Sequence, residues 1–284
     1  MVTAQRRTEG SDNAPVPAHN APVPVLEARA GSRAERFADL FGGAHPAAVF
    51  AAALVCGYVA LAAASILLAL FITDVLVKVG GIGSADESAI ASIVADRTPF
   101  LTDASSVGSA VGGAPVLPVL VALIAIVCAI LRRWRVAAFA VFVLVVESAT
   151  YRVTSLIVPR DRPHVHRLED LPANASYPSG HTAASIAVYA GLVLLLTSAI
   201  ADRRLRIVAW IAAIVLPLFV AFSRMYRGMH HPLDVAGGAL VGIGAVLVLL
   251  FACRAAEAAV RVRAAARERT GGAVDRRSRV QAAS

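Results

Sequence analysis

The chain has 284 residues, of which 58% are hydrophobic and only 16% are charged, and its mean hydropathy is +0.69. Soluble domains carry about 25% charged residues, so this composition excludes an ordinary soluble protein and predicts a polytopic membrane protein. The net charge of +8 comes without a nucleic-acid-binding motif, and attraction to anionic lipid headgroups explains it better.

Residues 1–45 differ in composition from the rest of the chain. Short repeats of Ala, Pro and Val alternate with charged residues, which predicts a disordered, partly extended cytoplasmic tail. The segment lacks the short apolar core and the small-residue cleavage site of a secretory signal. The first hydrophobic helix is therefore expected to stay in the protein as an anchor.

Residues 46–253 predict an all-α membrane domain, because a helix of about 20 apolar residues spans a bilayer. Six segments qualify as transmembrane helices: 47–73, 115–131, 136–158, 182–201, 207–223 and 234–253. Residues 254–284, rich in Arg and Ala, are expected to extend the last helix as a basic cytoplasmic tail. Three cysteines without metal-like spacing predict neither a disulfide framework nor a metal site.

The basic residues predict the orientation of the bundle in the cell membrane. The short loops 132–135 and 202–206 each contain three arginines. Such loops concentrate on the cytoplasmic side of membrane proteins, so these loops and both termini are expected to be cytoplasmic. Loops 159–181 and 224–233 would then lie together on the extracytoplasmic face.

The sequence from Ser223 to Asp234 places a cation, an imidazole and a carboxylate within twelve residues. His230 and Asp234 share one helical face, so Asp234 could accept a hydrogen bond that orients His230 as a nucleophile. Arg224 offers a planar donor fork to a phosphoryl group. A structural explanation is also open: an Asp stabilised by the helix dipole and an Arg that reaches the headgroups.

A second polar cluster, Pro178-Ser179-Gly180-His181, precedes the fourth predicted span. A helix N-terminus with free N–H groups attracts anions. Ser179 can donate a hydroxyl, Gly180 lets the backbone approach a ligand, and His181 is placed to act as a general acid. By itself, the cluster is better explained as an ordinary capped helix start.

Arg160 and Arg162 follow the third predicted span and add positive charge, although alone they are a weak signal. Two neighbours of the last cluster, Arg227 and His231, are interpreted as interface or headgroup contacts. The polar loop 74–114 could shape lipid entry, but an interfacial connector is the favoured interpretation.

Taken in chain order, these clusters resemble the signature of the type 2 phosphatidic acid phosphatase superfamily of membrane lipid phosphatases. The family pattern is Lys, six residues, Arg-Pro; then Pro-Ser-Gly-His; then Ser-Arg, five residues, His, three residues, Asp. The second and third parts match at every defined position, and the resemblance spans residues 46–253. Ser155 stands where the family has Lys, and Arg160 is the best candidate to compensate.

The resemblance implies that His230 becomes a phospho-histidine, that Asp234 orients it and that His181 protonates the leaving group. It further implies that the phosphoryl oxygens are held by Arg162, Ser179, Gly180 and Arg224. The family needs no metal, and no cofactor is expected. The implied active site lies at the extracytoplasmic face of a six-helix bundle.

These expectations favour hydrolysis of a phosphomonoester or diphosphate on a lipid, with a polyprenyl diphosphate ahead of phosphatidate and phosphatidylglycerophosphate. The signature does not separate hydrolysis from transfer onto a lipid or sugar hydroxyl, so a lipid-linked phosphotransferase is an alternative. The resemblance also covers soluble vanadate-dependent haloperoxidases, which six hydrophobic spans argue against. Ser155 keeps a non-catalytic lipid-binding protein open as well. The sequence indicates neither the lipid chain nor the oligomeric state.

Overall fold

The computed structural model describes residues 23–282, with side chains described up to residue 265. Regular structure in this range is helical apart from an isolated pairing of Arg160 with Ala175, so the predicted all-α class is confirmed. The helices are α1 (Arg33–Asp39), α2 (Pro46–Leu70), α3 (Ile82–Ala95), α4 (Pro99–Val111), α5 (Val116–Ile130), α6 (Trp134–Ile157), α7 (Gly180–Ser185), α8 (Gly191–Thr197), α9 (Arg203–Tyr226) and α10 (Pro232–Ala282). A π-helical turn joins α7 to α8. As expected, the last helix continues beyond residue 253.

The number of membrane spans is five or six for the described part of the chain. Five helical stretches are long and apolar enough to cross a bilayer: Pro46–Lys78, Trp134–Ile157, Gly180–Thr197, Arg203–Tyr226 and Pro232–Ala265. At 15 residues, α5 is short for a span. It reaches the required length only together with α4, from which it is bent by 40°. The predicted count of six therefore depends on this bent pair.

Two helices that carry site residues begin at side-chain caps. Thr98 precedes α4, and its hydroxyl accepts a hydrogen bond from the backbone N–H of Leu101 at 3.3 Å. Asp202 precedes α9, and its carboxylate accepts one from the N–H of Arg204 at 2.7 Å. Because the first N–H groups of a helix have no partner within it, such caps define where the helix starts.

The central helix of the bundle is α10, which packs against α1, α2, α6 and α7. Glycines allow it to approach α7 closely. A Cβ atom at Gly238 would overlap the carbonyl oxygen of Ser179, and one at Gly242 would lie 2.5 Å from the carbonyl oxygen of Ala183. Gly238 and Gly242 are four residues apart and so lie on one face of α10. This close contact brings the starts of α7 and α10 together.

Part of the N-terminal tail is structured, contrary to prediction. Residues 1–22 lie outside the described residues, whereas residues 23–45 pack against the far end of α10. Leu26 is fully buried, and the backbone N–H of Ala28 donates to Oε2 of Glu257 at 2.9 Å. The prediction of disorder is wrong for residues 23–45 because their small apolar side chains meet an Ala-rich face of α10, a partner that local composition does not reveal.

The polar loop 74–114 is also more than an interfacial connector. Most of it forms α3 and α4, and α4 packs along α9. Several of its polar side chains are buried inside the protein, among them Asp86, Ser105 and Ser109. The connector interpretation is wrong because these side chains bind charged groups from distant parts of the chain, which a surface position would not provide.

Replacing Gly242 by Ala is expected to destabilise the protein by about 1–3 kcal/mol, because the added methyl group would press on the rigid backbone of α7. The same change at Gly244 is the matched control, since its nearest neighbour is the flexible end of Leu61. Thermal unfolding of both purified variants in one detergent measures the difference. Equal melting temperatures would contradict a tight contact between α7 and α10.

Candidate active site

The three polar clusters of the sequence meet at one end of the bundle. The C-terminal ends of α6 and α9 and the starts of α7 and α10 come together there, joined by the irregular segment 158–179. The backbone N–H of Ser179 donates to the carbonyl oxygen of Asp234 at 2.9 Å, which ties α7 to α10. Residues far apart in the chain thus share one polar site.

His230 lies between α9 and α10 and is only 2% exposed. Its Nδ1 is 2.7 Å from the carbonyl oxygen of Ser176. A carbonyl oxygen can only accept, so Nδ1 carries the proton and Nε2 carries the lone pair. Burial, then the positive charges of Arg224 and Arg162, hold the pKa of His230 well below its usual range. The imidazole is therefore neutral near pH 7, as a nucleophile must be.

Asp234 does not orient His230 by a direct hydrogen bond, and that prediction is wrong. Its Oδ2 is 3.9 Å from Nδ1 of His230, beyond hydrogen-bond range. The carboxylate instead accepts from the hydroxyl of Ser176 at 2.5 Å, from the backbone N–H of His231 at 2.8 Å and from Arg160. Ser176 lies between the two side chains: its hydroxyl binds Asp234 and its carbonyl binds His230.

Arg160 enters the site but does not supply the missing cation beside His230. One terminal nitrogen of its guanidinium pairs with Asp234, and the other lies 2.6 Å from Oδ2 of Asp86. The interpretation of Arg160 as a phosphate ligand is wrong, because two carboxylates hold both ends of its donor fork. The hydroxyl of Ser155 donates to the carbonyl of Tyr151, one turn back in α6, at 2.8 Å.

Arg162 and Arg224 place positive charge beside His230. Arg162 donates to three backbone carbonyl oxygens and has no carboxylate partner within residues 23–265. Its Nη1 is 3.5 Å from Nε2 of His230. Arg224 is fully buried, yet within the same range its Nε and Nη2 have no hydrogen-bond partner. We call the group formed by His230, Arg162 and Arg224 the anion pocket, because a bound anion would satisfy these buried donors.

His181 and its two predecessors border the same region. Ser179 is buried, and its hydroxyl shares a hydrogen bond with that of Thr182 at 3.0 Å. A Cβ atom at Gly180 would lie 3.3 Å from the ring of Tyr151, so a side chain would crowd this entry to α7. His181 is close enough that its charge lowers the pKa of His230. The structure thus brings the two histidines together, as the motifs suggested.

Glu169 is a site residue that the sequence analysis missed. Its carboxylate lies 2.7 Å from Nη1 of Arg224 and 2.6 Å from Nε of Arg227, and it accepts the hydroxyl of Ser109 at 2.8 Å. Burial alone would raise the pKa of Glu169, but Arg224 and the hydrogen bonds outweigh it and lower this pKa to about 2. The resulting stabilisation is complete above an ordinary Glu pKa of about 4 and is lost as the pH falls towards 2.

Arg227 and His231 bind carboxylates of the protein rather than headgroups, so their interpretation is corrected. Arg227 binds Glu169, as described. His231 is 6% exposed, and its two ring nitrogens face Asp234 and Glu87 at 3.1 and 2.9 Å. The available signal was the presence of acidic residues in α3 and in segment 158–179, the latter next to arginines. Their pairing depends on contacts between distant parts of the chain.

Replacing Asp234 by Asn is expected to destabilise the protein by about 3–5 kcal/mol, because buried Arg160 and His231 would lose the anion they share. Asp103→Asn, at an exposed position of α4, is the control. Thermal unfolding in detergent measures both variants. An Asp234→Asn variant as stable as wild type would show that the cluster does not depend on this charge.

Known proteins resemble the part of the chain that carries the site. Residues 134–257 match the family model of the PAP2 superfamily. The chain is 43% identical over 75 residues to an undecaprenyl-diphosphatase of Sulfolobus acidocaldarius, covering 26% of this chain and 32% of the relative. It is 33% identical over 79 residues to undecaprenyl-diphosphatase BcrC of Bacillus subtilis, covering 28% of this chain and 36% of the relative. The chain thus matches about a third of the length of these curated relatives.

A solved structure shares the fold. The crystal structure of a PAP2 type phosphatidylglycerolphosphate phosphatase from Bacillus subtilis superposes with a TM-score of 0.58 at 24% identity, covering 68% of this chain and 93% of the other. The family match begins with α6 and includes His181, His230 and Asp234. The similarity to the PAP2 superfamily thus extends over residues 134–257, and the solved structure shares the fold.

Proposed function

We propose that this protein is a membrane lipid phosphatase that forms a phospho-histidine at His230. The observation that carries the proposal is the anion pocket. There, Nε and Nη2 of Arg224 have no hydrogen-bond partner within residues 23–265, and they lie near a neutral, buried imidazole. Arg162 lies beside His230, and Arg224 shares the carboxylate of Glu169 with Arg227. The positive charge on this side of His230 suits a phosphoryl anion.

In the first step, Nε2 of His230 attacks phosphorus and the bond from phosphorus to the leaving oxygen breaks. His181 gives its proton to that oxygen as general acid. Nδ1 keeps its proton on the carbonyl of Ser176, so the positive charge that develops on the ring faces a carbonyl dipole and the nearby Asp234. Arg162 and Arg224 hold the phosphoryl oxygens as the charge on them redistributes.

In the second step, water attacks the phospho-histidine and the bond from phosphorus to Nε2 breaks. His181, now deprotonated, accepts a proton from that water. Inorganic phosphate leaves and both histidines return to their starting states. These steps use only side chains of the chain, so we propose that the reaction needs no metal.

We favour a polyprenyl diphosphate as the substrate, ahead of phosphatidate and phosphatidylglycerophosphate. Two curated relatives bear the name undecaprenyl-diphosphatase, which supports this order. The anion pocket lies at the ends of apolar helices, where a lipid can present its headgroup while its chain stays among exposed Leu, Val and Ile side chains.

Phosphate release by purified protein with EDTA present tests the function, over a panel of the three lipid classes. Activity is expected to survive EDTA and to vanish in His230→Ala. Arg224→Lys is expected to lose about 10²–10³-fold in kcat, because an ammonium cannot replace a planar fork of donors. Arg152→Lys, at an exposed position of α6, is the matched control.

Release that persists in His230→Ala would overturn the phospho-histidine mechanism. Phosphate that appears on an added alcohol rather than in solution would instead make the protein a phosphotransferase. Inactivity towards every lipid, with and without acceptor, would argue for the non-catalytic alternative.

We also propose that the site faces the extracytoplasmic side and that both termini are cytoplasmic, because the arginine-rich loops 132–135 and 202–206 lie at the other ends of the helices. After replacement of the native cysteines, a cysteine at Leu171 is expected to react with a membrane-impermeant maleimide in intact cells. A cysteine at Arg204 should react only after lysis. The reverse pattern would invert the proposed orientation.

A further inference from the structure

His231 follows the proposed nucleophile in the chain, and the mechanism above assigns no role to it. Nδ1 of His231 is 3.1 Å from Oδ2 of Asp234, and Nε2 is 2.9 Å from Oε2 of Glu87. The first carboxylate belongs to α10 and the second to α3. His231 thus bridges two helices through both of its ring nitrogens.

Only one protonation state of His231 satisfies both contacts. A neutral imidazole has one N–H group, so one of the two carboxylates would face a nitrogen lone pair. The imidazolium donates to both carboxylates, and each bond is then charge-assisted.

The surrounding charges favour the same state. The cluster contains three carboxylates (Asp86, Glu87 and Asp234) and one guanidinium, that of Arg160, which leaves a net charge of −2 without His231. A proton on His231 halves this excess in a largely buried cluster. The exposed His164 also faces Glu87, at 3.6 Å.

We propose that His231 is a positioning residue that works as a fixed imidazolium and holds Asp234 in place for the reaction at His230. This inference rests on the proposed function. The charge on His231 holds Oδ2 of Asp234, and this oxygen also accepts a hydrogen bond from the hydroxyl of Ser176 at 2.5 Å. The carbonyl of Ser176 holds the Nδ1 proton of His230. Loss of the charge on His231 weakens this series of hydrogen bonds. The proton of His230 is then no longer held on Nδ1, and Nε2 no longer keeps its lone pair free.

The electrostatics agree with this assignment. Burial lowers the pKa of His231, but the hydrogen bonds and charges of Asp234 and Glu87 outweigh burial and raise it above the ordinary value. The pKa of Glu87 is lowered, since its contacts with His231 and His164 outweigh its own burial. A raised His pKa stabilises the folded state fully below the ordinary His pKa of about 6.5, and this stabilisation is lost as the pH rises through the raised pKa.

The test compares kcat and KM as functions of pH for wild type and Glu87→Gln. Gln keeps the shape of Glu87 but removes the charge that faces Nε2. The alkaline fall of kcat is expected to move to lower pH by about one unit, a typical effect of one close opposite charge. KM should change less than about twofold, because the hydrogen bonds described for Glu87 and His231 go to residues outside the anion pocket.

Two further variants complete the design. His231→Gln is expected to lower kcat about tenfold at neutral pH and to leave KM unchanged. This is the effect expected of a residue that orients the reacting group without contacting the substrate. His164→Gln changes the other, exposed histidine beside Glu87 and should leave the pH profile unchanged. If kcat falls at the same alkaline pH in wild type and in Glu87→Gln, the proposal is overturned. It is also overturned if the loss of activity in His231→Gln is wholly a rise in KM.

Thermal unfolding of the same samples measures the charge on His231 without turnover. Wild type is expected to lose stability as the pH rises through the raised pKa, and Glu87→Gln to lose it at lower pH. If no lipid is hydrolysed but this shift appears, the proposed function fails while the charge on His231 stands. If lipids are hydrolysed and the unfolding profiles coincide, the function stands and the inference fails.

Discussion

The negative charge of Asp234 is the constraint around which one end of the bundle is built. A fully buried carboxylate without partners costs several kcal/mol, and two parts of the chain supply donors to it. Arg160 and the hydroxyl of Ser176 come from segment 158–179, and His231 comes from just before α10. Because these groups must converge on one carboxylate, the irregular segment between α6 and α7 has a defined course although it contains no regular structure.

Two charge clusters of opposite sign flank His230. On one side, Arg162, Arg224 and Arg227 outnumber the carboxylate of Glu169, which leaves positive charge and, within residues 23–265, unsatisfied donors for an anion. On the other side, the carboxylates around Arg160 and His231 leave negative charge. In the proposed mechanism the two clusters have separate tasks: the positive cluster binds the phosphoryl group, and the negative cluster orients His230. It also explains how Arg160 can lie next to the site without replacing the cation absent at Ser155.

Helix packing in the rest of the bundle fixes the positions of these clusters relative to each other. Close packing of Gly238 and Gly242 against α7 places the entry of that helix beside Asp234. The helices α3 and α4 then cover the site from the side and contribute its outer carboxylates and hydroxyls. A segment that composition describes as a polar connector thereby becomes part of the site wall.

The sequence by itself determined the helical class, the approximate spans and the identity of His181, His230 and Arg224 as site candidates. Hydropathy and motif spacing are local properties, so they can be read without knowledge of the fold. Only the tertiary structure decided that Ser176, rather than Asp234, contacts Nδ1 of His230. It likewise decided that Glu169 and the α3 carboxylates complete the site. Such contacts join side chains that are distant in sequence, and which charge meets which depends on how closely the helices pack.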